Sequence, residues 1–176
     1  MVLGASLKTS HGTGRTAAGM KPRGVAQMPS AVGRRSYHRA MTDTTTLQAA
    51  LTDYFAPWVQ ALGLRVEPVQ PEGAVLLRLP HSDQLARSGG MLCGQAMMAA
   101  ADTAMVLALI AHFGEFRPCT TVQLSTSFLK PLSNQDALIE ARVLRAGKTM
   151  AFGEIDLRGA DDGKSVCRAS TTYALL

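Results

Sequence analysis

The apolar positions of this chain change period several times, and each change marks an element. In residues 45–60, TTLQAALTDYFAPWVQ, the side chains Leu47, Ala50, Leu51, Tyr54 and Phe55 recur at helical spacing. This predicts an amphipathic helix that Pro57 breaks or kinks and Gly63 ends. Segments 64–69 and 73–79 (LRVEPV and GAVLLRL) predict two strands joined by a turn at Gln70–Glu72 that contains Pro71. Residues 80–90 read as a polar loop ending in Gly89-Gly90. Residues 91–113, MLCGQAMMAAADTAMVLALIAHF, are apolar almost throughout and predict one long helix stopping near Gly114. After Pro118 the period falls to two. In 119–130, Val122, Leu124, Thr126 and Phe128 alternate with Thr121, Gln123, Ser125 and Ser127, so the two sets are expected on opposite faces of a strand. Segments 136–145, 150–159 and 164–175 give three more strands. Their links, Ala146-Gly147-Lys148 and Ala160-Asp161-Asp162-Gly163, are short enough to demand antiparallel hairpins.

The order is helix, two strands, a long apolar helix, then four strands, with no internal repeat. Strands that are not interleaved with crossover helices make an α+β fold. The expectation is an antiparallel sheet of five or six strands wrapped around the helix 91–113.

Charge divides the chain in two. Residues 1–40 hold seven basic residues (Lys8, Arg15, Lys21, Arg23, Arg34, Arg35 and Arg39) and no acid, while residues 41–176 hold eleven Lys/Arg against thirteen Asp/Glu, a balance of −2. The formal +5 therefore reports on the first forty residues, and neither nucleic acid nor membrane is expected as a partner of the rest. The Gly/Ser/Ala/Arg-rich, non-periodic segment 1–40 fits a disordered tail, an organelle transit peptide, or an extension upstream of a start at Met41. The expected division is a disordered basic extension over 1–40 and one globular domain over 41–176, large enough to bury a core. Cys93, Cys119 and Cys167 are widely spaced, no C-x-x-C occurs, and His11, His38, His81 and His112 have no metal-ligand spacing. A reduced, cytoplasmic protein without metal or cofactor is expected.

The long helix carries one acid, Asp102, at its middle. An unpaired carboxylate taken out of water costs several kcal/mol and is usually neutralised, paired or functional. Asp102 either faces solvent, accepts a local hydrogen bond from Thr103, or does chemistry. By length alone the segment could span a membrane. Gln95, Asp102, the seven alanines and the alternating strands that follow predict a buried helix instead.

Several motifs carry nothing. Gly147-Lys148-Thr149 lacks the glycine five residues earlier (position 142 is Arg) and precedes a strand, so it is not a phosphate loop. Gly12-Thr13-Gly14 follows no strand, G-x-S-x-G is absent, and His81-Ser82-Asp83 cannot form a triad from adjacent positions.

The run from Gly89 to Met105, GGMLCGQAMMAAADTAM, resembles the central-helix signature of PaaI-like acyl-CoA thioesterases, a hotdog-fold family. Thr121 to Pro131 resembles that family's following strand, and Glu140 to Lys148 with Ala151 to Glu154 resembles its next hairpin. The match covers roughly 60–176. It implies that Asp102 acts as general base or nucleophile, that Thr121 orients the acid or the water, and that the Gly94 backbone N–H polarises the thioester carbonyl. Two positions depart from the pattern. Cys93-Gly94-Gln95 stands where many members have His-Gly-Gly, and Arg87 where many have Asn. A backbone donor at Gly94 survives both changes. Cys93, Gln95 and Arg87 then become candidate substrate contacts.

Chemistry adds a constraint. Activated water and an oxyanion donor must converge within about 3 Å of one carbonyl. Gly94 and Asp102, eight residues apart, are separated by about 12 Å along a helix. A site shared by two copies resolves this, so a homodimer is expected; pairing of dimers into tetramers is the family norm. The substrate implied is a small or medium acyl- or aryl-CoA, with Lys130, Arg145 and Lys148 as candidate partners for its phosphates. Cys93, near a helix N-terminus, is a rival nucleophile without a visible base. The competing functions are a non-catalytic acyl-CoA-binding hotdog protein and a hotdog dehydratase or hydratase.

Overall fold

The six-stranded sheet takes its order from short links. In the computed structural model, which describes residues 43–176, β2 (Ala74–Leu79) is followed in space by β6 (Ala137–Ala146), β7 (Met150–Gly159), β8 (Ser165–Leu175) and β5 (Cys119–Phe128). A two-residue β1 (Arg65–Val66) adds to the far edge, and every pairing is antiparallel. The extension predicted over residues 1–40 lies outside the described residues.

The helix α3 (Gly94–Phe113) crosses the concave face of this sheet. Alternation supplies the matching surface: Ile139 and Ala141 of β6, Ala151, Ile155 and Leu157 of β7, and Cys167, Ala169 and Tyr173 of β8 are all buried. The small residues Ala96, Ala100, Ala101, Ala104 and Ala108 bring the α3 backbone close to the strands. At the closest approach Gly153 has no room for a side chain, since a Cβ there would lie 2.3 Å from Met105 Sδ. Though α3 is long and apolar enough to cross a membrane by length and composition, most of it is packed inside this sheet. It ends as expected, with Gly114 in the left-handed region (φ 78°) and its N–H donated to the Ile110 carbonyl at 2.8 Å.

Three boundaries differ from the sequence reading. The helix starts at Gly94 rather than Met91, because Met91–Leu92 form a short strand β4 paired with β3 (Ala86–Arg87). The Leu92 N–H also goes to the Leu132 carbonyl at 2.8 Å, and the Cys93 N–H to the Leu85 carbonyl at 2.9 Å. Backbone partners outside the helix therefore claim these residues, and segment 80–90 is not wholly loop. The helix predicted over 45–60 is two, α1 (Thr44–Asp53) and α2 (Pro57–Gln60), because Pro57 opens the second at the position where its missing N–H is not needed. The strand predicted over 64–69 shrinks to β1.

The faces of β5 also differ. The pairing with β8 shifts between Thr121 and Gln123, so Val122 is an extra residue opposite no partner. This bulge switches the side-chain parity. Thr121 lies opposite the buried Tyr173, and Leu124 opposite the buried Thr171, so Thr121 and Leu124 share the helix-facing side.

Candidate functional site

Asp102 projects from the middle of α3 toward the end of β8 and the free edge of β5, half-buried in the single chain. The hydroxyl of Thr121 donates to its Oδ1 at 2.9 Å. The Tyr173 hydroxyl donates to the same oxygen at 2.5 Å and lies 3.0 Å from the Asp102 carbonyl. Thr103, the expected local donor, gives its hydroxyl instead to the Ala99 carbonyl at 2.8 Å. The carboxylate is therefore held by side chains from two strands rather than by its own helix. Burial, and then the charge of Asp102, push the Cys119 thiol above its ordinary value. The same two causes in the same order push the Tyr173 phenol far above its own, so it remains a donor.

Gly94, at the other end of the same half of α3, is its first residue. An N–H at that position has no carbonyl one turn earlier to bond, and it finds no acceptor among the described residues. Cys93 precedes it as N-cap without a side-chain capping bond. A Cβ on residue 94 would stand 3.1 Å from Phe128 Cζ, so glycine lets that ring lie against the helix end. Phe128 is 52% exposed and is free to act as a wall rather than as core. Beside it lies a cavity of about 430 Å³, lined by Gly94, Met97, Phe128 and Leu129 together with the two cations Arg87 and Lys130.

The residues singled out from sequence thus separate into two groups. Arg87, Gly94 and Lys130 gather at one end of α3, and Asp102 and Thr121 meet at its middle. Cys93 is half-buried beside Gly94, whereas Gln95 is exposed and does not line the cavity. Arg145 is paired opposite Phe152 on the outer, solvent side of the sheet, and Lys148 sits in the β6–β7 turn; neither lines the cavity. Among the described residues no three His, Cys, Asp or Glu side chains are placed to hold a metal ion. Sequence reasoning missed Tyr173 and the wall function of Phe128. The signal for Tyr173 is a cross-strand register, Tyr173 opposite Thr121, which a linear pattern does not display.

The chain is similar to known proteins in sequence and in fold. The family model described as Thioesterase superfamily matches residues 89–166, which include Gly94, Asp102, Thr121 and Lys130. A protein of Saccharolobus solfataricus named "putative esterase" is 30% identical over 105 residues, 60% of this chain and 74% of that protein. The chain belongs to the thioesterase superfamily. Its fold is the hotdog fold, a sheet curled around one helix. A solved structure from Silicibacter sp., named a putative thioesterase, superposes with a TM-score of 0.68 at 29% identity, covering 76% of this chain and 92% of that one. The PaaI protein from the phenylacetic acid degradation operon of E. coli shares the fold at 17% identity and a TM-score of 0.65, covering 78% and 96%.

In chemical terms this thioesterase-superfamily chain presents a held carboxylate with one oxygen, Oδ2, that accepts no bond among the described residues. It also presents, at a helix N-terminus where the peptide dipoles favour negative charge, an amide with no partner among the described residues. These are the two groups acyl transfer to water requires.

Proposed function

We propose that the protein hydrolyses acyl-CoA thioesters, with Asp102 as general base or nucleophile and the Gly94 amide polarising the carbonyl. The observation that carries this is the carboxylate fixed on an otherwise apolar helix, with Oδ1 bound by Thr121 and Tyr173 and Oδ2 open. As a base, Asp102 takes a proton from water while the water oxygen bonds to the carbonyl carbon. The oxyanion then rests on the amide. Collapse breaks the C–S bond, the proton passes to sulfur, and a carboxylic acid and a free thiol leave.

The two groups stand about 12 Å apart along one helix axis and cannot serve one carbonyl from the same chain. A homodimer in which Asp102 of one copy faces Gly94 of the partner meets the requirement. What supports it is β5: a ten-residue strand on the sheet edge with one side unpaired. Long bare edges are natural pairing templates. If β5 pairs antiparallel with its own copy about an axis at Ser125, Leu124 lies opposite Thr126 and, with Val122 as the extra residue, Thr121 of one copy comes opposite Phe128 of the other. That register brings the Asp102 group of one chain to the Gly94 group of its partner. The cavity beside Gly94 has apolar walls suited to an acyl or pantetheine chain, and Arg87 and Lys130 suit CoA phosphates.

Thiol release from a panel of short-chain, medium-chain and aryl-CoA esters tests the reading. Wild type is expected to turn over at least one class, and Asp102→Asn is expected to lose about two orders of magnitude or more of that rate. Equal rates for the two proteins remove Asp102 from the mechanism. Binding of acyl-CoA without turnover replaces the enzyme by a binding protein, and a fully active monomer overturns the shared site.

A further inference from the structure

We propose that Tyr173 is the positioning residue of Asp102: with Thr121 it commits Oδ1 to the protein and leaves Oδ2 as the oxygen that acts. The inference rests on the reading of Asp102 as the reacting carboxylate and specifies how the fold aims it.

Tyr173 lies near the end of β8, paired on one side with Ala151 of β7 and on the other with Thr121 of β5. Its side chain is 1% exposed, among the largest fully buried in the described chain. A tyrosine costs little inside a core only if its hydroxyl finds a partner. Here the partner is the one acid of α3, at 2.5 Å, with the carbonyl of the same residue at 3.0 Å. One proton cannot serve both acceptors fully, and the shorter contact, to a charged oxygen, takes it. Thr121 reaches Oδ1 from the opposite strand, at 2.9 Å. Two donors on one oxygen define the carboxylate plane and turn Oδ2 away from both strands.

The titratable groups facing Asp102 among the described residues are the Tyr173 phenol from β8 and the Cys119 thiol from β5. Burial pushes both upward, so both remain neutral in the range where a carboxylate titrates.

The test compares full-length wild type with Tyr173→Phe. Thr171→Val serves as control, since it removes another buried hydroxyl of β8 that donates to the Gln123 carbonyl at 2.8 Å. Two readouts are taken: kcat and KM on the best thioester of the panel, and the carbon-13 chemical shift of the Asp102 carboxyl at fixed neutral pH. With Tyr173→Phe, kcat is expected to fall roughly 10- to 100-fold at nearly unchanged KM, the loss typical of one hydrogen bond to a charged group. The Asp102 carboxyl resonance is expected to move as its shortest hydrogen bond is lost. Thr171→Val is expected to move neither. An unchanged kcat or an unmoved resonance in Tyr173→Phe overturns the proposal, since a merely structural tyrosine would change stability and not these. If Tyr173→Phe does not fold, 3-fluorotyrosine incorporation is read instead. Its more acidic phenol is the stronger donor and should move the resonance; no movement overturns the proposal. Wild type inactive on every thioester removes the thioesterase reading, while the resonance still decides whether Tyr173 holds Asp102.

Discussion

Gly94 offers a way to delete a backbone donor without unfolding the helix that carries it. Proline is the perturbation. Gly94 is the first residue of α3, where proline's fixed φ suits the helix and its missing N–H removes a donor that no helical carbonyl accepts. Cys93, the residue before, is already extended at φ −73° and ψ 149°, the conformation proline imposes on its predecessor. The new Cβ meets the Phe128 ring at 3.1 Å, and that ring is half-exposed and can give way. Gly94→Ala introduces the same Cβ while keeping the N–H, so the pair isolates the hydrogen. Loss of one oxyanion donor typically costs about 3–4 kcal/mol in the transition state, or about 10²- to 10³-fold in kcat. The stability difference between the two variants should stay within about 1 kcal/mol. Stopped thiol-release kinetics give kcat, and thermal unfolding gives the stability control. Gly94→Pro is expected to fall about 10²-fold or more below Gly94→Ala at matched Tm. Equal kcat for the two would refute the role of this amide.

Two further outcomes follow from packing and charge. Gly153→Ala places a methyl 2.3 Å from Met105 Sδ, 2.4 Å from its Cε and 3.0 Å from the Arg142 carbonyl, around a Met105 that is fully buried. The overpacking should cost about 1–3 kcal/mol, seen as a Tm lower by roughly 3–10 °C; an unchanged Tm would show that helix and sheet are not in contact there. Asp136 accepts the His81 backbone N–H at 2.8 Å and pairs with Arg78 at 3.1 Å, in that order the chief causes that hold its carboxyl below the usual range. A depressed folded value gives stability that is complete above the unfolded value near 4 and is lost as pH falls through the folded one. Asp136→Asn should therefore lower denaturant stability by about 1 kcal/mol at neutral pH, given a partly exposed pair, and the difference from wild type should close as the pH falls through the depressed folded value. A difference independent of pH would rule out the charge as its source.

The elements that were legible in the sequence are those whose reasons are local. The hairpins closed by Ala146–Lys148 and Ala160–Gly163 allow only antiparallel neighbours, and Gly114 stops α3 through its own conformation. Asp102 stood out because a single acid in an apolar run has a cost that demands an explanation. The start of α3 was not legible, since Met91 and Leu92 are as apolar as the helix and are drawn out of it by a tight pairing with Ala86 and Arg87 and by Leu132, a partner distant in the chain. Nor was the side on which Thr121 lies. Strict alternation puts it opposite Leu124, and only the pairing with β8 reveals the extra residue between them. Tyr173 was invisible for the same reason: its importance is a matter of which residues stand across from it. Of the proposed phosphate contacts, Arg145 and Lys148 were grouped with Lys130 by charge alone, and neither lines the cavity that Lys130 lines in the single chain.

The bulge at Val122 has a consequence for how this strand can vary. β5 carries two landmarks, Thr121 beside Asp102 and Phe128 against Gly94, and both must face the helix. They are an odd number of positions apart, which a regular strand would send to opposite faces. Val122 corrects the parity. What the strand has to keep is therefore a count rather than a set of side chains. Exchanging Ser125 or Gln123 for another residue leaves both landmarks facing inward. Removing one residue between 121 and 128 turns one landmark outward if the bulge remains; if the bulge closes instead, both still face inward but the span between them is one residue shorter. Length variation in this ten-residue stretch is thus the change the site tolerates least, and a graft of this site onto another sheet would have to carry the irregular step with it.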